Sequence, residues 1–321
     1  MTNFQVYKKT LSYSGLLFLL DLLALIVFGG VATGGFVIGS MVGGAIPGLI
    51  IGVLVGIILV ILYNYLVQNR IKAAQIGMMA KGVVDGELPE HTFQEGFKEV
   101  KGRFASITGF FFVTNAIKGI FRQLGRGITR VGQAIGGDAG GSIASAIDSA
   151  IQILIGYLCD CCLGWVMYNK NTGTAKAACE GAVIFFRHGK TLFRNIGRIF
   201  GMGLLSFLVF GGAFFGLSFF ICNNFPGGFE ALSNEIIASF GEGEEVPEIL
   251  SNITYLMLFV SAIIGIVGWS MLHNVLIRPF ILTGVLRNFM ASGLAERPQP
   301  ADFTVLDGRS KKFAKLHEKV E

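Results

Sequence analysis

Apolar residues in this chain are gathered into long blocks, separated by short polar segments. The blocks run from Ser14 to Ala32, Ser40 to Val67, Phe104 to Phe121, Ile143 to Tyr168, Ile199 to Cys222 and Ile253 to Ile277. About twenty apolar residues suffice for a helix to cross a bilayer, so the pattern predicts an all-α integral membrane protein with six transmembrane helices. The first block contains Asp21 and is longer than the core of a secretion signal, so it is read as span 1. A Gly-rich turn near Thr33 to Gly39 leads to span 2. At about 1.5 Å per residue span 2 exceeds a bilayer core, which implies tilt or an emergent end. The third block is the shortest and carries Lys118 in its last turn. If it crosses, Arg122, Arg126 and Arg130 face outward against the charge bias; if it is re-entrant or lies on the surface, the charges of the later segments fall on the wrong sides, so crossing is preferred.

Within span 2, Gly44, Gly48, Gly52 and Gly56 recur every fourth residue. Residues four apart share one helix face, so this recurrence is a glycine zipper, a groove into which another helix can press its backbone. Gly39 and Gly43 begin a second row one residue out of phase. A large-residue face such as span 6 is the expected partner inside the molecule; the alternative is a dimer through the same groove.

The polar segments predict interfacial helices and an orientation. Pro89 precedes Thr92-Phe93-Gln94-Glu95, a capping-box pattern, after which Phe93, Phe97, Val100 and Phe104 fall on one face, suited to a membrane surface. A second amphipathic helix is expected from Thr174 to Phe186. Lys and Arg crowd the segments 68–103 and 169–198, while the loop Asn223 to Ser251 has six glutamates and neither Lys nor Arg. By the positive-inside rule both termini are then cytoplasmic, in what is expected to be the plasma membrane. Residues 1–292 form the membrane domain and 293–321 a short basic tail.

Composition fits this class. Of 321 residues 52% are hydrophobic and 15% charged, against about a quarter charged in soluble domains. A net charge of +5 is too small and too scattered to imply nucleic acid binding. Cys159, Cys161, Cys162, Cys179 and Cys222 are odd in number, unlike a secreted disulfide framework. Without paired CxxC motifs or a histidine cluster, Cys159, Cys161 and Cys162 read as packing or acylation residues before soft-metal ligands, and no cofactor is expected. No phosphate-binding loop, nucleophile elbow or zinc-protease motif occurs, so catalysis is not expected.

The chemistry that stands out lies inside the apolar blocks. Ser145, Ser149, Gln152, Gly156, Cys159 and Asp160 follow one another at steps of three or four along span 4, with Asp148 beside them. An ionisable group within the bilayer commonly faces a cavity or a partner, which singles out Asp21, Asp148 and Asp160. Trp165 and Trp269, near span ends, suit either interfacial anchoring or an aromatic wall. A substrate path past Asp148, Gln152, Asp160, Trp165, Trp269 and Asp21 is therefore one expectation.

Two segments carry a resemblance. Arg103-Phe104-Ala105-Ser106 and the apolar run to Arg122 resemble the His-Leu-Gly-Ser helix of the choline transporter-like family. Asn169, Ala175 and Leu192-Phe193-Arg194-Asn195-Ile196-Gly197-Arg198 are similar to its Asn-Ala-Tyr segment and Leu-x-Arg-Asn-x-x-Arg motif. Lys170 and Asn171 stand where the family has Ala-Tyr. The resemblance implies a six-span half of a carrier for choline or a similar organic cation, held over aromatic faces. The sequence thus supports two functions. One is a solute carrier for a small organic solute such as choline. The other is a non-transporting scaffold or assembly factor, with a second copy or another membrane protein as partner.

Overall fold

A computed structural model describes residues 1–103, 114–120, 122–123, 141–193, 196–225, 227–239 and 252–319. The described residues are helical throughout, without strands. They form α1 (Asn3–Lys9), α2 (Leu11–Met41), α3 (Ala45–Tyr63), α4 (Asn69–Val84), α5 (Thr92–Arg103), α6 (Gly141–Tyr168) and α7 (Thr174–Phe193). These are followed by α8 (Ile196–Ser206), α9 (Gly212–Asn224), α10 (Gly227–Ser239), α11 (Ile253–Leu272), α12 (Arg278–Ala295), α13 (Pro300–Arg309) and α14 (Lys311–His317). Three π-helical turns, Asn64–Gln68, Phe207–Gly211 and His273–Ile277, join α3 to α4, α8 to α9 and α11 to α12.

Four helices are long and apolar enough to cross a membrane: Leu11–Met41, Ala45–Val84, Ile199–Asn224 and Ile253–Ala295. Three of the six predicted blocks fall within them, and the second, Ser40 to Val67, does so from Ala45, its first residues forming the end of α2 and the turn. Of the third block, residues 104–113 lie outside the described residues and 114–120 are helical. The fourth block forms α6, whose apolar part, Gln152–Tyr168, is short of a span among the described residues. Its side chains from Leu154 to Met167 are largely buried, and that burial explains their apolar character without lipid. In the most apolar stretches of the four long helices only 11% to 22% of positions are buried, so most of their side chains face outward. Water would penalise that surface and lipid does not. The chain is a multi-pass membrane protein.

The chain divides into two compact units: unit 1 is Met1–Ser14, Asn69–Phe200 and Arg278–Glu321, and unit 2 is Gly15–Gln68 and Gly201–Ile277.

Unit 2 contains the close approach of α2 and α3. A Cβ at Gly48 would collide with the Gly35 carbonyl oxygen and come 2.6 Å from the Gly39 Cα. One at Gly52 would lie 2.7 Å from the Val31 carbonyl oxygen. The partner of this glycine face is thus the preceding helix and not span 6: α2 supplies Gly35 and Gly39, a matching bare surface two turns long. Gly56 continues the row against the Phe28 ring, 2.7 Å from where its Cβ would stand. Gly44 is not in the row, because it caps α3 from a non-helical conformation. The expected turn at Thr33 to Gly39 is also displaced. The helix persists to Met41, and the chain reverses at Val42–Gly44 with Gly43 at φ +79°. In lipid an unpaired peptide group is costly, so glycines stay helical where a neighbour packs on them and yield only where the chain must turn.

Unit 1 is a helical bundle with its own core. In α4, positions Ala73 to Ala80 are all buried, so this segment needs no single apolar stripe. α5, α6 and α12 pack around it and α7 packs on α6 and α12, with Trp165, Met78, Met79 and Phe289 among the fully buried side chains. α5 starts at Thr92 as predicted, but without the capping box. Thr92 Oγ1 donates to the Pro89 carbonyl, and the Glu95 amide goes to the His91 carbonyl. Its Phe face packs on Tyr13, with ring centroids 5.0 Å from Phe93 and 6.0 Å from Phe97, while Phe93 stays partly exposed. The Tyr13 hydroxyl donates to the Thr92 carbonyl at 2.6 Å, in a buried position. Tyr13→Phe leaves that carbonyl short of a donor, and a loss of about 1–2 kcal/mol is expected, read as a lower unfolding midpoint in detergent. The polar tail is structured as well: α13 and α14 form a helical pair against α7, burying Phe303, Leu306, Phe313 and Leu316.

Candidate functional site

The richest collection of charged groups in unit 1 lines a cleft of about 450 Å³. Its floor is the C-terminal half of α4, with Gly77, Lys81 and Asp85; α5 contributes Glu99; the end of α6 and the turn after it contribute Tyr168 to Thr172; and Arg297 follows α12. Each wall has a local cause. At the end of α6 the last carbonyls have no helical partner. Arg103, the last residue of α5, supplies the missing donors: Nε to Val166 at 2.9 Å, Nη1 to Lys170 at 3.1 Å, and Nη2 to Asn169 at 3.0 Å and Thr172 at 2.6 Å. A guanidinium suits this position, since it carries five donors and its charge complements the negative end of the helix dipole. Burial lowers the Arg103 pKa from its ordinary value, but arginine stays charged at any physiological pH. Asn169 adds a side-chain bond to the Trp165 carbonyl at 3.1 Å. The turn 169–172 is therefore held before any ligand arrives.

Electrostatically the cleft is mixed. Glu99, only 11% exposed at its side chain, sits 2.6 Å from the Lys170 ammonium and 3.8 Å from that of Lys81. Tyr168 donates to Asp85 Oδ1 at 2.8 Å. Arg297 makes no hydrogen bond or ion pair among the described residues and is exposed. Gly77 lets α6 close on α4 beside the cleft, because a Cβ there would come 3.1 Å from Met167 Cε. None of these residues was singled out as a site by the sequence pattern. The available signal was Arg103 and Asn169, which carry the family resemblance and here build one turn.

The sequence-predicted residues are distributed over both units. Asp160, in unit 1, accepts from Arg278 Nη2 at 2.6 Å, and the Arg278 guanidinium lies 5.5 Å from the Tyr157 ring centroid. Gln152 is exposed on the same face of α6, and the Asp148 side chain lies outside the described residues. Trp165 is 1% exposed; its Nε1 donates to Glu180 at 3.0 Å and its ring rests against Gly293. In unit 2, Asp21 Oδ1 accepts from Tyr63 Oη at 2.8 Å and Gln68 Nε2 at 2.9 Å. Trp269 Nε1 donates to Ser206 Oγ at 3.1 Å, and Ser206 Oγ lies 2.9 Å from His273 Nδ1 and gives its proton to the Gly203 carbonyl at 2.8 Å. When the hydroxyl serves Gly203, Nδ1 of His273 carries the hydrogen of their contact; in the other tautomer the hydroxyl turns to Nδ1 instead. Each predicted residue thus has its own neighbours, and no bond joins one to another among the described residues.

All five cysteines are free and buried. Cys162 donates to the Ala178 carbonyl at 3.4 Å and packs on Gly181. Burial, with Asp307 and Glu180 nearby, pushes the Cys179 thiol up to about 12. A thiol that stays protonated is a poor metal ligand. Among the described residues no group of three or more His, Cys, Asp or Glu is placed so that it could hold a metal ion.

Compared with known protein families, with curated proteins and with solved structures, the chain matches none.

Proposed function

We propose that this protein is a non-enzymatic membrane scaffold or assembly factor, in which apolar helices anchor a helical recognition unit. The observation that carries this reading is the backbone-to-backbone closure of α2 on α3. Glycine surfaces that meet without side chains make a stiff hairpin, the behaviour of a glycine zipper used for construction. Its remaining faces, such as Ile51 at 61% and Leu54 at 55% exposure, are left for lipid, a second copy or another membrane protein. The distribution of Lys and Arg supports a plasma membrane orientation with both termini cytoplasmic. A photo-crosslinking side chain at Ile51 or Leu54, activated in native membranes, is expected to give a discrete protein adduct. Adducts with lipid alone would count against the scaffold.

A second reading, a carrier for a small organic solute such as choline, is supported by Asp21. A carboxylate within an apolar span, bonded to Tyr63 and Gln68, is costly to keep without a use. Saturable uptake of labelled choline into proteoliposomes, lost in Asp21→Asn, would displace the scaffold reading.

A further inference from the structure

We infer that the charged cleft of unit 1 is a binding site for a phosphate group. The inference deepens the recognition role proposed above without requiring the scaffold itself.

Three cations reach the cleft from three separate elements: Lys81 from α4, Lys170 from the turn and Arg297 beyond α12. Two acids oppose them, Glu99 and Asp85. Glu99 is committed to Lys170 at 2.6 Å, and Lys81 is held only at 3.8 Å. Arg297 has no ion pair among the described residues, so Lys81 and Arg297 carry donors without strong protein acceptors. Three cations against two carboxylates leave one positive charge in excess, and such an excess around one concave space attracts an oxyanion. Ammonium, guanidinium and the side-chain amides beside them approach from different directions. A tetrahedral phosphate can accept from several directions, whereas a carboxylate offers two oxygens in one plane.

Asp85 refines the ligand. Its Oδ1 is occupied by the Tyr168 hydroxyl at 2.8 Å, and a carboxylate can only accept. A ligand beside Asp85 must therefore present a hydrogen, as a monoprotonated phosphate monoester does, or a hydroxyl on the group that carries the phosphate. The site is also prepared in advance: Arg103 fixes the turn that presents Lys170, and Gly77 lets α6, which carries that turn, close on α4. Little ordering then remains for the ligand to induce. The same phosphate chemistry could be offered by a soluble phosphomonoester or by a lipid headgroup.

The test uses the full chain in phosphatidylcholine nanodiscs, titrated with inorganic phosphate while chloride holds ionic strength constant. The unfolding midpoint is expected to rise saturably. Arg297→Met and Lys81→Met should each weaken the apparent affinity by about tenfold, the loss of one charge-assisted contact, while Lys98→Met, outside the cleft, retains it. Both cleft variants replace accessible side chains, and circular dichroism checks their folding. Including phosphatidic acid separates the sources: a raised midpoint that phosphate no longer increases identifies the headgroup, and an unchanged phosphate response identifies a soluble ligand. Equal shifts in wild type and Arg297→Met, or a shift reproduced by chloride, would overturn the inference. Crosslinking at Ile51 is untouched by that result, so the two proposals fail separately.

Discussion

Replacing Gly48 and Gly52 together by leucine is expected to destabilise the single chain. At Gly48 even a methyl group would overlap the Gly35 carbonyl, and at Gly52 it would come 2.7 Å from that of Val31. The obstacle at both positions is backbone, which cannot rotate away as a side chain can. Overpacking by flexible groups costs about 1–3 kcal/mol per site, and two backbone collisions in one interface should reach or exceed the upper end of that range. The helices must separate to admit the side chains, and Asp21 would then move away from Tyr63. A fall in the unfolding midpoint and in the folded fraction on size exclusion is the measurement. Gly29→Leu is the control, since a Cβ there has no neighbour within 4 Å. A double variant that folds normally and loses only self-association would assign the glycine face to contacts between copies.

Arg103→Met is the second large effect expected. The aliphatic stem is preserved, yet four carbonyls at the end of α6 lose their donor together. Water can reach some of them, so the cost should be about 2–3 kcal/mol and not the sum of four charged hydrogen bonds. Lysine should recover only a fraction, because one ammonium cannot span acceptors from Val166 to Thr172. Amide hydrogen exchange distinguishes this from a general loss of stability. Protection should fall first at residues 169–173 and at the end of α6, while the amides of α12 are spared.

What could be read from the sequence was whatever has a period. Apolar runs located the four long helices, because length and hydropathy alone decide whether a segment suits a bilayer. The same rule does not decide α6, because burial in a protein core and burial in lipid select the same residues. Leu154, Leu158 and Val166 could serve either purpose. The glycine recurrence identified a close-packing face but not its partner. Gly35 and Gly39 were read as a turn, since glycine breaks helices in water and packs them in membranes. The cleft stayed hidden because its residues come from four separate stretches. Lys81, Glu99, Lys170 and Arg297 are ordinary surface charges in sequence, and only the folding of α4, α5 and α6 against one another brings them together. Arg103 shows the limit clearly: in the chain it is a basic residue beside an apolar block, and in three dimensions it ends a helix sixty-three residues away.

The π-helical turns at Asn64–Gln68 and His273–Ile277 fall where each long helix passes from one unit to the other. Each α-helical residue advances the side-chain direction by about 100°, so the extra residue in a π turn sets everything after it back by that angle. The two ends of such a helix are thus written in different reading frames. α3 follows a phase in which every fourth residue is bare, whereas α4 is crowded on all sides from Ala73 to Ala80. A continuous α-helix would force one phase on both, and any change of length on one side would rotate the faces on the other. With a spare residue at the turn, the residues before it and after it can evolve as separate texts, spliced where a single insertion or deletion does least harm.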